Sequence, residues 1–343
     1  MDKRTGKRYK NERKMIGADK SLDEMHEIFY HAKVAEGRAK RTLDMYNENY
    51  KKFCMFLDYA GVERSMSAIT PELLRSYKAW LLNTARKWEG HPHKAERNMT
   101  IGLDPVTVNT KFKTLKTMFK FLEEEGYIDY DPSVKIQKTA EPQKQIKILE
   151  VEDIKRLLAA PDRRTYAGFR DYVIMNLLVD SLCRINEVLS LRKEDVDTVQ
   201  GFIYVLETVA KSRRGRTVPI QKRTARLLAE LMRECEDFES DYIFLTNYGG
   251  RLTDDRFRER LQQHANKVGV DVHIHPHLFR HTSATIFLEN GGTERYLAEI
   301  MGHSDLRMVT RYTHLSKQDI KKKHDQFTPL NNVISGLQRE RKR

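Results

Sequence analysis

His275–Thr282 reads HPHLFRHT: three histidines and an arginine within eight residues, just ahead of an apolar helical run, in a chain with 12 histidines in 343 residues. Such a cluster can ligate a metal, hold a phosphate or simply pack. A closed metal site needs three or four ligands. His275, His277 and His281 could supply three only on a bent backbone, no HExxH is present, and no carboxylate lies inside the stretch. Phosphate chemistry accounts for it better. His277 and Arg280 are three apart, which at a helix start puts both side chains on one side. A guanidinium there can grip two phosphate oxygens while an imidazole donates or accepts a proton beside it.

The charge of the whole chain points the same way. A formal net charge of +13 implies a polyanionic partner, most often nucleic acid, and basic residues crowd both ends, in KRTGKRYKNERK and QRERKR. A solubilising surface with two disordered tails would give the same composition. Charge supplies affinity and salt dependence, not chemistry. The length suggests two domains. No run approaches the ~18 apolar residues of a membrane span, and the basic N-terminus has no apolar stretch behind it, so neither membrane nor secretion is expected. Cys54, Cys183 and Cys235 are odd in number and far apart. They give no disulfide framework and suit a reducing compartment, so a cytoplasmic location is expected.

Along the chain, residues 1–22 are polar and unperiodic and read as a basic flexible arm. A helical domain is expected over 23–137. Thr42–Ala60 puts Leu43, Tyr46, Tyr50, Phe53 and Leu57 on one face, with Gly61 as the stop. Thr70-Pro71 and Asp104-Pro105 are helix starts. The second of these opens a stripe of Val108, Phe112, Leu115, Phe119 and Leu122, ended by Gly126. Lys113, Lys116 and Lys120 line another face of that helix and are candidate phosphate contacts, or an ordinary solvated face. RKWEGHPHKAERNMTIG reads as a loop in which His91 and His93 have no role. Residues 138–147, KTAEPQKQIK, read as a linker. The second domain, 148–326, mixes signals. Val151–Ala159, Tyr166–Val179 and Thr224–Arg233 look helical; Phe202–Leu206 and TVPI flank the KSRRGR turn as a hairpin; Tyr242–Leu245 reads as another short strand. A basic tail, 327–343, ends the chain. The expected fold is mainly α with a small antiparallel sheet.

Other phosphate-type residues recur outside the opening stretch. SLCRINEVLSL puts Arg184 near a helix start with Glu187 one turn later; the hairpin turn offers Lys211 among Arg213, Arg214 and Arg216, any of which could touch phosphate; GHSDLRMVTRYTHL carries His303 and, nine residues on, Tyr312. Each has an ordinary explanation alone. Arg184–Glu187 could be a surface pair worth little, and Tyr312 is one of 15 tyrosines.

Together, in order and spacing, they resemble the tyrosine recombinases, a family of phage integrases, Xer-type recombinases and transposon enzymes. RINE matches the family's R-x-x-E, AKSRRGRTVPI its hairpin lysine five residues before R-x-V-P, HLFR its H-x-x-R, MGHS its G-H turn, and RYTH its nucleophile segment. A match at six functional positions is far more specific than any single motif. It covers residues 147 to about 326; before the linker the likeness is architectural only. One departure stands out. The family has Thr-Gly where this chain has Ser181-Leu182, so the turn before Arg184 is expected to differ.

The resemblance implies a helical core-binding domain and a catalytic domain that clamp double-stranded DNA as a C, acting as a homo-tetramer on paired recombination sites. The segment after Tyr312 is long enough to reach a neighbouring subunit. It implies that Tyr312 attacks a scissile phosphate and that the enzyme is left joined to the 3′ phosphate, with recombination proceeding through a Holliday junction. His277 would serve proton movement, Lys211 would protonate the leaving oxygen, Arg184 and Arg280 would neutralise the transition state, and His303 would donate to it. Glu187 would orient Arg184, while His275 and His281 pack or serve the helix start. No metal, cofactor or nucleotide is implied. Three other readings remain open: a type IB topoisomerase, a catalytically silent DNA-binding regulator of the same fold, and a histidine-metal hydrolase.

Overall fold

The computed structural model describes residues 20–87, 99–142, 148–210, 214–302 and 309. The chain divides into two compact units between Lys144 and Gln145, within the polar stretch 138–147.

In the first unit, helix α1 (Leu22–Ala35) begins at Ser21 with a capping box: the Ser21 hydroxyl accepts the Glu24 N–H at 3.2 Å, and the Glu24 carboxylate accepts the Ser21 N–H at 2.7 Å. Ser21 and Leu22, expected in the arm, therefore belong to the fold, and Leu22 is wholly buried. Helix α2 (Lys40–Ala60) buries Leu43, Tyr50, Phe53 and Leu57 and stops at Gly61, whose φ of 64° is left-handed. Helices α3 (Pro71–Asn83) and α4 (Pro105–Glu124) start as their sequences dictate, the Thr70 hydroxyl accepting the Leu73 N–H and the Asp104 carboxylate the Val106 N–H. The four helices enclose an aromatic core that includes Phe29, Phe53, Tyr77 and Phe119. The apolar stripes alone specify this arrangement, because each helix has one face to hide.

Lys113, Lys116 and Lys120 share one face of α4 and, with Lys33, line a surface pocket. Lys113 and Lys120 are exposed; Lys116 is half-buried, its Nζ donating to the Ile136 carbonyl at 2.7 Å, above the Phe112 ring. An ammonium so close to apolar surface takes the nearest unpaired carbonyl. The stretch 138–147 is not wholly a tether. Asn109 exchanges two 2.9 Å hydrogen bonds with the Thr139 backbone and donates to Glu141 at 2.7 Å. His91 and His93 lie outside the described residues.

In the second unit, helix α5 (Val151–Ala159) leads into α6 (Tyr166–Ser181). This helix is apolar on nearly every face and packs against α5, α8 (Lys222–Glu234), α9 (Asp254–Lys267) and α10 (Pro276–Glu289). A helix buried all round is the centre of its domain. Short helix α7 (Ile185–Leu189) follows, and α11 (Glu294–Met301) closes the described chain. The hairpin is present as β2 (Phe202–Val205) and β3 (Arg216–Pro219), antiparallel, with Ile203 opposite Val218 and Val205 opposite Arg216. The third strand of the sheet is β1 (Val196–Asp197). Tyr242–Leu245 does not join it. It makes only isolated bridges, Arg192 to Tyr242 and Leu245 to Arg251, while Ile243, Phe244 and Leu245 are fully buried. Its apolar run reflects burial, not strand pairing.

Candidate active site

The site grows from the turn that ends α6. Leu182 has φ of 54°, and it is the one residue other than glycine with positive φ among the described residues. A side chain there costs about 1–2 kcal/mol. Burial offsets the cost: Leu182 is enclosed in a small apolar cluster with Ala284, Leu288, Leu297, Ala298, Met301 and Val309. Ser181 braces the turn, its hydroxyl donating to the Leu177 carbonyl at 2.6 Å and accepting the Cys183 N–H at 3.2 Å. The chain thus turns through a left-handed residue here without a glycine.

This turn delivers Arg184 to the N-cap of α7. Glu187, buried, receives the Arg184 N–H at 2.9 Å and the Arg184 guanidinium at 3.0 Å. The same carboxylate binds Arg216, at 2.7 Å from Oε2 and 3.3 Å from Oε1. Burial pushes the Glu187 carboxyl upward, but the Arg216 hydrogen bond and charge, with those of Arg184, outweigh it and hold the group below its ordinary value. Glu187 is therefore an anion that places two cations.

Helix α10 supplies the other half. His275 is its N-cap, with Nδ1 accepting the Leu278 N–H at 3.2 Å, and Pro276 occupies the first turn. Arg280 points inward and is buried, donating to the Leu182 carbonyl and, at 2.8 Å, to the Met301 carbonyl. It ties the Leu182 turn to the end of α11. Burial first, then the charge of Arg184, lowers its pKa to about 10, so it stays protonated at neutral pH. His277 lies on the surface, yet its pKa is lowered, by desolvation of the ring first and then by Arg280, Arg258 and Arg184. At neutral pH it is a neutral imidazole among cations. His281 is half-buried.

The structure thus brings together Arg184, Glu187, His277 and Arg280. Arg214 is exposed at the start of the strand that follows the turn. Lys211, Arg213, His303 and Tyr312 lie outside the described residues. Two contributors escaped the sequence reading. Arg216 was grouped with phosphate-touching arginines but is buried against Glu187. Arg258 forms an i,i+4 pair with Asp254, which in sequence is indistinguishable from a surface pair. Among the described residues no group of three or more His, Cys, Asp or Glu could hold a metal, and no helix is long and apolar enough to cross a membrane. The three cysteines are buried and free.

Two guanidiniums within electrostatic reach of an imidazole of lowered pKa offer fixed positive charge and a proton acceptor, the two things that phosphodiester chemistry draws on. Residues 147–319 match the model of the phage integrase family, and residues 25–138 match that of the phage integrase SAM-like domain. The chain belongs to the phage integrase family. It is similar to the tyrosine recombinase XerD of Listeria innocua serovar 6a, 29% identical over 295 residues, which span 80% of this chain and 97% of that protein. The tyrosine recombinase XerC of Oceanobacillus iheyensis is 29% identical over 302 residues, 81% of this chain and 95% of that one. Among solved structures, the Tn1549 transposon integrase in complex with transposon right end DNA shares the fold, with a TM-score of 0.68 at 17% identity over 90% of this chain and 99% of that one. A lambda integrase dimer bound to a COC' core site gives 0.65 at 14% identity over 87% and 79%.

Proposed function

We infer that this chain is a site-specific DNA recombinase, cleaving and rejoining strands through a 3′-phosphotyrosyl intermediate and a Holliday junction. The observation that carries the reading is that the buried Glu187 anion holds Arg184, with Arg280 and His277 within electrostatic reach of that guanidinium. In this reading Arg184 and Arg280 neutralise the charge that builds on the phosphate as Tyr312 attacks. His277, kept neutral by desolvation of its ring and by its cationic neighbours, accepts the proton of a phenol whose ordinary pKa is ~10. Lys211 protonates the departing 5′ oxygen and His303 donates to a phosphoryl oxygen. Glu187 orients Arg184. The fixed cations do the work that metal ions do in many nucleases, and the phosphotyrosine conserves the bond energy, so religation draws on neither metal nor nucleotide.

Lys113, Lys120, Arg213 and Arg214 are offered as backbone contacts to DNA, with Lys116 in a supporting place. The working assembly is a tetramer on paired sites in the cytoplasm, with the segment after Tyr312 reaching a neighbouring subunit. The decisive test uses a nicked suicide substrate, from which the released strand diffuses before it can re-attack. The wild type accumulates a covalent protein–DNA adduct, in excess EDTA as well as without it, while Tyr312→Phe binds DNA and forms none. Lys211→Ala slows the same step, and a 5′-thio leaving group, which needs no proton, restores it. An adduct from Tyr312→Phe would place the nucleophile elsewhere and overturn the assignment.

A further inference from the structure

Arg216 has no part in the chemistry above, yet it touches several of its supports. It is the first residue of β3, paired with Val205, and its side chain is 8% exposed. Its guanidinium binds both oxygens of Glu187, its Nε donates to the Ile300 carbonyl at 2.7 Å, and its Nη2 donates to the Cys183 sulfur at 3.7 Å. The end of α11 also closes over it. Gly302, with φ of +66°, lies so near that a Cβ there would stand 3.0 Å from Arg216 Nη1. A planar fork can bind both oxygens of a carboxylate while its Nε serves a carbonyl on another side; the donors of an ammonium all radiate from one nitrogen and cannot span the same partners in that geometry.

Its charge matters as well as its shape. Glu187 is a single anion shared by Arg184 and Arg216, which leaves the trio net positive. Without Arg216, the Glu187 carboxylate would neutralise Arg184 and blunt the positive charge offered to a phosphate. The strand that begins at Arg216 follows the turn carrying Lys211, and the residue after Gly302 is His303. We propose that Arg216 is a positioning residue for strand cleavage: by sharing Glu187 with Arg184 and binding the end of α11 at Ile300, it fixes Arg184, the hairpin and the segment leading into His303 in one frame. The proposal rests on the recombinase reading and deepens it.

The test compares Arg216→Met, Arg216→Lys, Glu187→Gln and the Glu187→Gln/Arg216→Met double variant, all in the full chain. Two quantities are measured: single-turnover adduct formation on the suicide substrate, and titration of the Glu187 carboxyl by NMR with 13C-labelled glutamate. Its resonance is assigned by its absence in Glu187→Gln. The charged and titratable groups that face Glu187 are Arg184, Arg216, Arg280 and Cys183. Arg216→Met is expected to bind DNA as the wild type does and to cleave on the order of 10²-fold more slowly, comparable to removing one transition-state donor. Arg216→Lys should recover only part of that loss. The double variant should be little slower than Glu187→Gln alone, and the Glu187 titration should move up in Arg216→Met. Full recovery by lysine would reduce the role to charge and overturn the proposal. So would losses that simply multiply in the double variant, or a Glu187 titration that does not move. If Arg216→Met does not fold, the lysine variant's rate and titration decide the matter. A wild type that forms no adduct would sink the recombinase reading instead, and the titration would still report whether Arg216 holds Glu187.

Discussion

Asp171 and Glu187 are both buried carboxylates that bridge two arginines within the second unit. Around Asp171, Oδ1 takes Arg170 at 2.8 and 3.1 Å, and Oδ2 takes both His264, at 3.0 Å, and Arg260, whose side chain is 32% exposed. Arg170 spends its remaining reach on the Leu245 carbonyl at 2.7 Å, and its side chain is 3% exposed. Around Glu187 one arginine, Arg216, is closed in, while Arg184 is 20% exposed and uses one guanidinium nitrogen among the described residues. The same electrostatic device therefore has two outcomes. Each carboxylate holds one enclosed arginine and one that reaches solvent, and the difference lies in the neighbours. Arg260 and His264 share Asp171 Oδ2, which makes that device a joint between α6 and α9. Arg184 instead stands within electrostatic reach of Arg280 and His277, so its half-open cation is one of a charged group. The company of the second arginine, not the pairing or its burial, separates structure from site.

The largest expected contrast comes from breaking each device. Arg184→Ala leaves Glu187 paired with Arg216, so stability should change little, while adduct formation should fall about 10²–10³-fold. Asp171→Asn strands the buried Arg170 guanidinium and weakens the hold on Arg260, and should cost about 3–5 kcal/mol, read as a lower denaturant midpoint. Its cleavage rate per folded molecule should stay near that of the wild type. A cleavage defect in Asp171→Asn as deep as that of Arg184→Ala would erase the distinction.

A smaller effect concerns the cations around His277. Desolvation of the ring first, then the charges of Arg280, Arg258 and Arg184, disfavour the imidazolium against a smaller pull from Asp254, so the folded pKa lies below the ordinary histidine value. Because the neutral ring is the proton acceptor, the cleavage rate should hold as pH falls through that ordinary value and drop only below it. Arg258→Ala removes one of those charges. It should raise the His277 pKa and move the acid limb of the rate profile to higher pH. A limb that moved down instead would mean that His277 works in its charged form.

The smallest effect separates the Leu182 turn from an ordinary core position. Leu182→Ala loses buried side chain but keeps a Cβ in the left-handed region, whereas Leu182→Gly loses slightly more volume and sheds the strain. Both should destabilise, but the glycine variant should be the more stable by about 1 kcal/mol, the reverse of the usual order in a core. Equal midpoints in a denaturant titration would show that the backbone of the turn relaxes when the side chain is cut back.

Much of this molecule is set by residues close together in the chain. Thr70-Pro71 and Asp104-Pro105 start helices because the cap and its target N–H are two or three residues apart. Arg184 and Glu187 are readable as a unit because i and i+3 face each other on a helix. The β2–β3 hairpin follows from two short apolar runs either side of a basic turn. Other features have no local trace. The Ile136 carbonyl that binds the Lys116 ammonium has no trace in the sequence of α4, and Tyr242–Leu245 has the composition of a strand whether it pairs or is merely buried. Arg260 and His264 meet Asp171 across 89 and 93 residues, and Arg216 meets Ile300 across 84. The sequence by itself determined the helices, the hairpin and the residue types of the site, because dihedral preference and periodicity act along one element. Which arginine is buried and which faces out was decided only by tertiary packing, because burial depends on the neighbours that distant segments supply, and that choice makes Arg184 available to a ligand and Arg216 not.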